Sequence, residues 1–144
     1  MKYIVLSTIL LAGFVVLSFL ISSDNSVTKW DTSTFQSMNN PHGKILDKIM
    51  VDLTKYGREV VWISVILLLA VLGKNDGRKA AVLLTIAFLV LIPLGTVLKS
   101  EIDRTRPSSE NMLIISDTSP SFPSGHATIV SAGSAILFLR FNKG

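Results

Sequence analysis

The chain has 144 residues, of which 49% are hydrophobic and 17% charged, with 14 Lys and Arg against 10 Asp and Glu. Ordinary globular chains carry about 25% charged residues, so the unusual feature is the shortage of charge. This composition excludes a disordered chain, and the absence of cysteine excludes a disulfide scaffold and cysteine-based zinc sites.

Long stretches without charge indicate membrane helices, because the bilayer core of about 30 Å requires about 20 apolar helical residues. A buried core helix is the alternative for such a run, but four runs leave too little polar sequence to cover a soluble core. For the first run, a cleaved signal peptide is a second alternative. We predict an all-α, polytopic transmembrane helical bundle in one domain, 1–144. Its membrane helices are predicted at about 3–22, 56–73, 80–98 and 127–141.

Two different segments separate the first two predicted membrane helices. Residues 22–40 are rich in Ser, Thr, Asn and Asp, which predicts a loop. The next residues place apolar side chains on one helical face, which predicts an amphipathic helix along the membrane interface before the chain turns into the bilayer. The apolar residues of this face are Ile45, Ile49, Leu53 and Tyr56.

The basic residues predict the orientation in the membrane. If the helices alternate, Lys2, the link 74–79, Arg140 and Lys143 fall on one side, which the positive-inside rule assigns to the cytoplasm. We therefore expect an integral protein of the cell membrane. The segment 99–126, the predicted site loop, then faces outward.

Basic residues on the outer face, against this trend, indicate an anion site. Lys99 and Arg106 follow the third predicted membrane helix, and Ser124, Gly125 and His126 precede the fourth. Arg and Lys suit phosphate oxygens, and a glycine at a helix N-terminus lets backbone N–H groups approach an anion. The Ser124 hydroxyl can add a donor, and His126 can act as an acid or a nucleophile.

These residues resemble a known family. Lys99 to Pro107 matches the K-x6-R-P motif of the type 2 phosphatidic acid phosphatase and haloperoxidase superfamily, and Pro123 to His126 matches its P-S-G-H motif, in the family's order. The resemblance covers the chain from about residue 35 onward. It implies that Lys99 and Arg106 bind phosphate oxygens and that Ser124 and Gly125 supply further hydrogen-bond donors to the phosphate. It also implies that His126 protonates the leaving group. It implies no metal and no cofactor.

The chain also departs from this family. The family's nucleophile is a histidine in a third motif, S-R-x5-H-x3-D, and no histidine follows His126. We therefore expect a chain truncated at its C-terminus, with four of six membrane helices. His42 matches no family motif, and we interpret it as a turn or interfacial residue.

The resulting hypothesis is hydrolysis of a lipid phosphate or polyprenyl diphosphate at the outer membrane face through a phosphohistidine. The alternative is a non-catalytic membrane protein that binds anionic lipid headgroups. A vanadate-dependent haloperoxidase is disfavoured by the amount of membrane helix. The expected partners are the lipid phosphate and the bilayer. Basic residues on the cytoplasmic side and in the phosphate site account for the net charge of +4, so we expect no nucleic acid partner. The sequence leaves the oligomeric state open.

Overall fold

The computed structural model describes residues 2–23, 26–38, 43–107 and 119–142, and this part of the chain is all-α. The predicted fold class, an all-α membrane protein, is confirmed. His42 and residues 108–118 of the predicted site loop lie outside the described residues. The helices are α1 (Lys2–Ser22), α2 (Ser26–Met38), α3 (Lys44–Asp52), α4 (Arg58–Val71), α5 (Asn75–Ile102) and α6 (Gly125–Phe141).

Two of these helices are long and apolar enough to cross a bilayer, namely Ile4–Ser22 within α1 and Asn75–Ile102, which is all of α5. Most of the described side chains of α1, from Ile4 to Ser22, are exposed, and Phe19 retains 73% of its accessible surface. Such an apolar exterior suits lipid. α6 is a shorter apolar helix of 17 residues.

α3 and α4 are joined by a π turn, Leu53–Gly57, and the helical path continues without a break. We expected a change of direction between an interfacial helix and the second membrane helix. The backbone stays helical through this segment, since Leu53, Gly57 and Arg58 all have right-handed helical angles, and the change of direction stays a prediction. No proline interrupts the segment, and Gly57 has an ordinary helical φ of −61°, so nothing in the local sequence ends the helix.

The predicted loop at 22–40 is wrong, because Ser26–Met38 forms α2. Serine and threonine disfavour helices when their hydroxyls compete for backbone groups. Here the hydroxyls of Thr32 and Thr34 donate to the carbonyls four residues earlier, at 2.9 Å in both cases. The side chains therefore bond to the helix instead of replacing its backbone hydrogen bonds.

The core lies where α5 packs against both α4 and α6. Leu84 and Phe88 from α5 and Ile129 from α6 form a buried cluster. Trp62 of α4 covers this cluster, and its ring meets Phe88 edge to face at 5.3 Å between centroids. This three-helix unit carries the residues described next.

Candidate functional site

The chain leaving α5 runs beside the chain entering α6. The Nε of Arg106 donates to the backbone oxygen of Ser119 at 2.9 Å. The backbone N–H of Ser121 donates to the carbonyl of Arg104 at 2.8 Å. These bonds hold the two predicted motifs together although they are separated in sequence.

Arg104 connects this loop to α2. Its guanidinium forms an ion pair with Asp31, and its Nη1 donates to the Ser121 hydroxyl at 3.2 Å. The Arg104 side chain is 16% exposed, so the pair is only partly open to water. The geometry therefore gives Arg104 a structural role in anchoring α2.

A cavity of about 270 Å³ lies between α4, α5 and α6, and two of the predicted site residues line it. Lys99 reaches it from the last turn of α5, and Gly125 from the first turn of α6. The first N–H groups of a helix have no intrahelical partner and lie at the positive end of its dipole. An ammonium group and a helix N-terminus thus share one cavity, an arrangement suited to an anion.

The other three predicted site residues do not line this cavity, although each lies next to a residue that does. Arg106 is hydrogen-bonded to Ser119, which lines it. Ser124 caps α6, because its hydroxyl oxygen accepts from the N–H of Ala127 at 3.3 Å. This oxygen still has an O–H to donate.

His126 lies against the π turn. Its Nε2 is 3.1 Å from the backbone oxygen of Thr54. Because a carbonyl oxygen only accepts, Nε2 is the donor in this contact. His126 therefore connects the first turn of α6 with the segment before α4.

Arg58 also lines this cavity, together with Lys99, although neither sequence motif contains it. A Cβ atom built on Gly125 would lie 3.2 Å from Nη1 of Arg58. The available signal was an arginine at the start of an apolar helix, since charged residues within membrane segments usually face a protein interior.

A second, largely apolar cavity of about 250 Å³ adjoins the first. It runs between α4 and α5, and Trp62, Phe88 and Leu89 contribute to its walls. Arg58, Ile92 and Ile129 line both cavities. The first cavity, called the chamber below, is lined by the cationic side chains of Arg58 and Lys99. The apolar groove lies beside it, and Arg58 is found where the two meet.

The fold and this site define an all-α membrane protein with a cationic chamber beside an apolar groove. Over 142 residues the chain is 37% identical to an undecaprenyl-diphosphatase of Sulfolobus acidocaldarius, and the match covers 94% of this chain and 68% of that protein. The chain therefore belongs to the family of this undecaprenyl-diphosphatase, a family of lipid phosphatases. No family model matches the sequence, and no solved structure matches it.

Proposed function

We propose that this protein hydrolyses a polyprenyl diphosphate to the prenyl phosphate and inorganic phosphate, at the outer face of the cell membrane. The observation that carries the proposal is that Lys99 and the N-terminus of α6 at Gly125 line one chamber, which adjoins an apolar groove. A charged head with an apolar chain fits this pair of cavities. The related undecaprenyl-diphosphatase supports the same class of substrate.

In this proposal the terminal phosphate lies in the chamber. The Lys99 ammonium and the N–H groups at Gly125 bind its oxygens, as the type 2 phosphatidic acid phosphatase motifs imply. Arg106 and the Ser124 hydroxyl add donors from the chamber's edge. These donors stabilise the negative charge that develops on the phosphoryl oxygens in the transition state.

The reaction breaks the bond between the terminal phosphorus and the bridging oxygen. A nucleophile attacks that phosphorus in line with the leaving group, and His126 donates a proton to the bridging oxygen as the prenyl phosphate leaves. In the resembled family the nucleophile is a histidine whose phosphoryl group is then transferred to water. That histidine belongs to the motif S-R-x5-H-x3-D, which these 144 residues do not contain.

The test separates binding from turnover. Farnesyl diphosphate binding to the purified protein in detergent is measured by calorimetry, and phosphate release is followed in parallel. Lys99→Gln is compared with Lys48→Gln, which removes the same charge from an exposed position on α3. Charged hydrogen bonds contribute about 1.5–3 kcal/mol, so we expect Lys99→Gln to weaken binding by at least about tenfold.

Three results would contradict parts of this proposal. If the wild-type protein does not bind farnesyl diphosphate, the assigned site is wrong. If Lys99→Gln and Lys48→Gln bind equally well, Lys99 is not a phosphate ligand. If the lipid binds without phosphate release, these residues bind the headgroup without supplying a nucleophile, and the hydrolysis part of the proposal fails for this chain. That result favours the alternative of a membrane protein that binds anionic lipid headgroups without catalysis.

A further inference from the structure

Arg58 occupies the boundary between the two cavities. It is the first residue of α4, and it lines both the chamber and the apolar groove. Its side chain is 30% exposed, so most of it is covered by protein. Of the three residues that line both cavities, Arg58, Ile92 and Ile129, Arg58 is the one with a charge.

The N–H donors of the Arg58 guanidinium face two different groups, the neighbouring Glu59 carboxylate and the chamber near Gly125. Nε donates to Glu59 Oε1 at 2.8 Å, and Nη2 is paired with the same oxygen. Nη1 points toward Gly125 and has no hydrogen-bond acceptor within the described part of the chain. Because an arginine carries five N–H donors, Nη1 can serve an anion without breaking the pair with Glu59.

The pair of Arg58 and Glu59 does not explain why an arginine lies here. The two residues are adjacent in sequence, so their ion pair ties no helix to another. Half-exposed ion pairs of this kind add little stability. The contact of Arg58 that joins two helices is the one near Gly125, which faces the chamber.

A diphosphate has two phosphates with different neighbours. If the terminal phosphate lies between Lys99 and Gly125, and the chain leaves through the groove past Trp62, then the phosphate esterified to the chain lies at the boundary. We propose that Arg58 binds this chain-bearing phosphate of a prenyl diphosphate. The single phosphate of a prenyl monophosphate is held between Lys99 and Gly125, so that only a diphosphate has a second phosphate for Arg58, and the site prefers the diphosphate. This inference rests on the proposed function and adds a specificity-determining residue to it.

The experiment measures selectivity. Dissociation constants for farnesyl diphosphate and farnesyl monophosphate are determined for wild type, Arg58→Gln, Arg58→Lys and the control Lys48→Gln. One charged hydrogen-bonding group contributes about a tenfold effect or more. We expect Arg58→Gln to lose about tenfold in diphosphate affinity and less than about threefold in monophosphate affinity. Arg58→Lys restores part of the preference, since an ammonium keeps the charge but not the planar fork.

A fourth variant tests the geometry without removing the arginine. Glu59→Gln weakens the ion pair with Nε and Nη2 of Arg58. We therefore expect the variant to bind the diphosphate as tightly as wild type or more tightly. The thermal midpoint of Glu59→Gln, compared with that of wild type, shows whether loss of the ion pair alone destabilises the fold.

The outcomes distinguish this inference from the proposed function. If Arg58→Gln lowers both affinities equally, or changes neither, while Lys99→Gln still loses binding, Arg58 is not a selectivity residue and the phosphate site stands. If wild type binds neither farnesyl lipid, the proposed function and this inference both fail. If Glu59→Gln reproduces the loss seen in Arg58→Gln, the effect comes from the ion pair and the inference is wrong.

Discussion

A methyl group on Gly133 would lie 2.1 Å from Cη2 of Trp62, well inside van der Waals contact. Gly133 is buried in α6, and Trp62 belongs to α4, so the absence of a side chain leaves room for the Trp62 ring against the backbone of α6. This close packing supports the wall that Trp62 forms in the apolar groove.

Gly133→Ala should therefore destabilise the protein despite the higher helix propensity of alanine. Overpacking a filled interior costs about 1–3 kcal/mol, and we expect the thermal midpoint in detergent to fall by about 3–10 °C. The matched control is Gly13→Ala in α1, where an added Cβ meets no atom within 4 Å. We expect an unchanged or slightly raised midpoint for this control.

Adding Trp62→Phe to Gly133→Ala tests whether the clash with the Trp62 ring causes the lower thermal midpoint. The smaller ring gives the new methyl group room, so the double variant should recover part of the lost midpoint. Equal midpoints for Gly133→Ala and Gly13→Ala would mean that α6 shifts freely away from α4 and that this contact does not limit packing.

The ion pair between Asp31 and Arg104 should stabilise the attachment of α2 to the loop after α5. Asp31→Asn removes the charge while keeping the shape, and we expect a loss of about 1 kcal/mol because the pair is only partly exposed. Asp52→Asn is the control, since Asp52 is exposed on α3 and pairs with no described residue.

A double-mutant cycle with Arg104→Gln gives the coupling between the two side chains. A coupling energy near zero would show that α2 is held by other contacts. Farnesyl diphosphate binding provides a second measurement. Because neither Asp31 nor Arg104 lines the chamber, we expect the variants to change the dissociation constant for farnesyl diphosphate by less than about threefold.

The proximity of candidate-site residues that lie at helix ends could be predicted from the sequence. Lys99 ends one apolar run and Gly125 begins another, so antiparallel packing of α5 and α6 brings them together. Arg58 could not be placed in this way, because its contact near Gly125 depends on how closely α4 packs against α6. By itself, a charge at the edge of an apolar run is equally typical of a side chain that lies in the lipid headgroup zone.

The error at α2 has a similar origin. Its sequence is polar, and the ion pair of Asp31 with Arg104 joins residues 73 positions apart. Local propensity contains no information about such a distant partner. The fold class, in contrast, depends on the length and apolar content of α1 and α5, which can be read from the sequence directly.

The proposed outward orientation of the site can be tested by labelling introduced cysteines, since the 144 residues contain none. Thr105 and Lys74 are exposed and flank the two ends of α5, a helix of 28 residues. At about 1.5 Å per residue this helix exceeds the hydrocarbon core of about 30 Å. Thr105→Cys should react with a membrane-impermeant maleimide in intact cells, and Lys74→Cys only after permeabilisation.

The reverse pattern would place the site in the cytoplasm and overturn the orientation taken from the basic residues. Labelling of both positions in intact cells would mean that α5 does not cross the membrane. The wild-type protein is the blank, because it offers no thiol to the reagent.

His126 has a structural contact and a proposed chemical role, and two variants separate them. Glutamine at 126 keeps an N–H that can reach the Thr54 oxygen, whereas alanine does not. We expect His126→Ala to lower stability by about 0.5–1.5 kcal/mol and His126→Gln to keep most of it. Neither side chain can act as a general acid, so wherever the wild-type chain releases phosphate from farnesyl diphosphate, both variants should reduce that release by about 100-fold or more. Release close to wild type in His126→Gln would remove His126 from the proton transfer and leave it the structural role of joining α6 to the π turn.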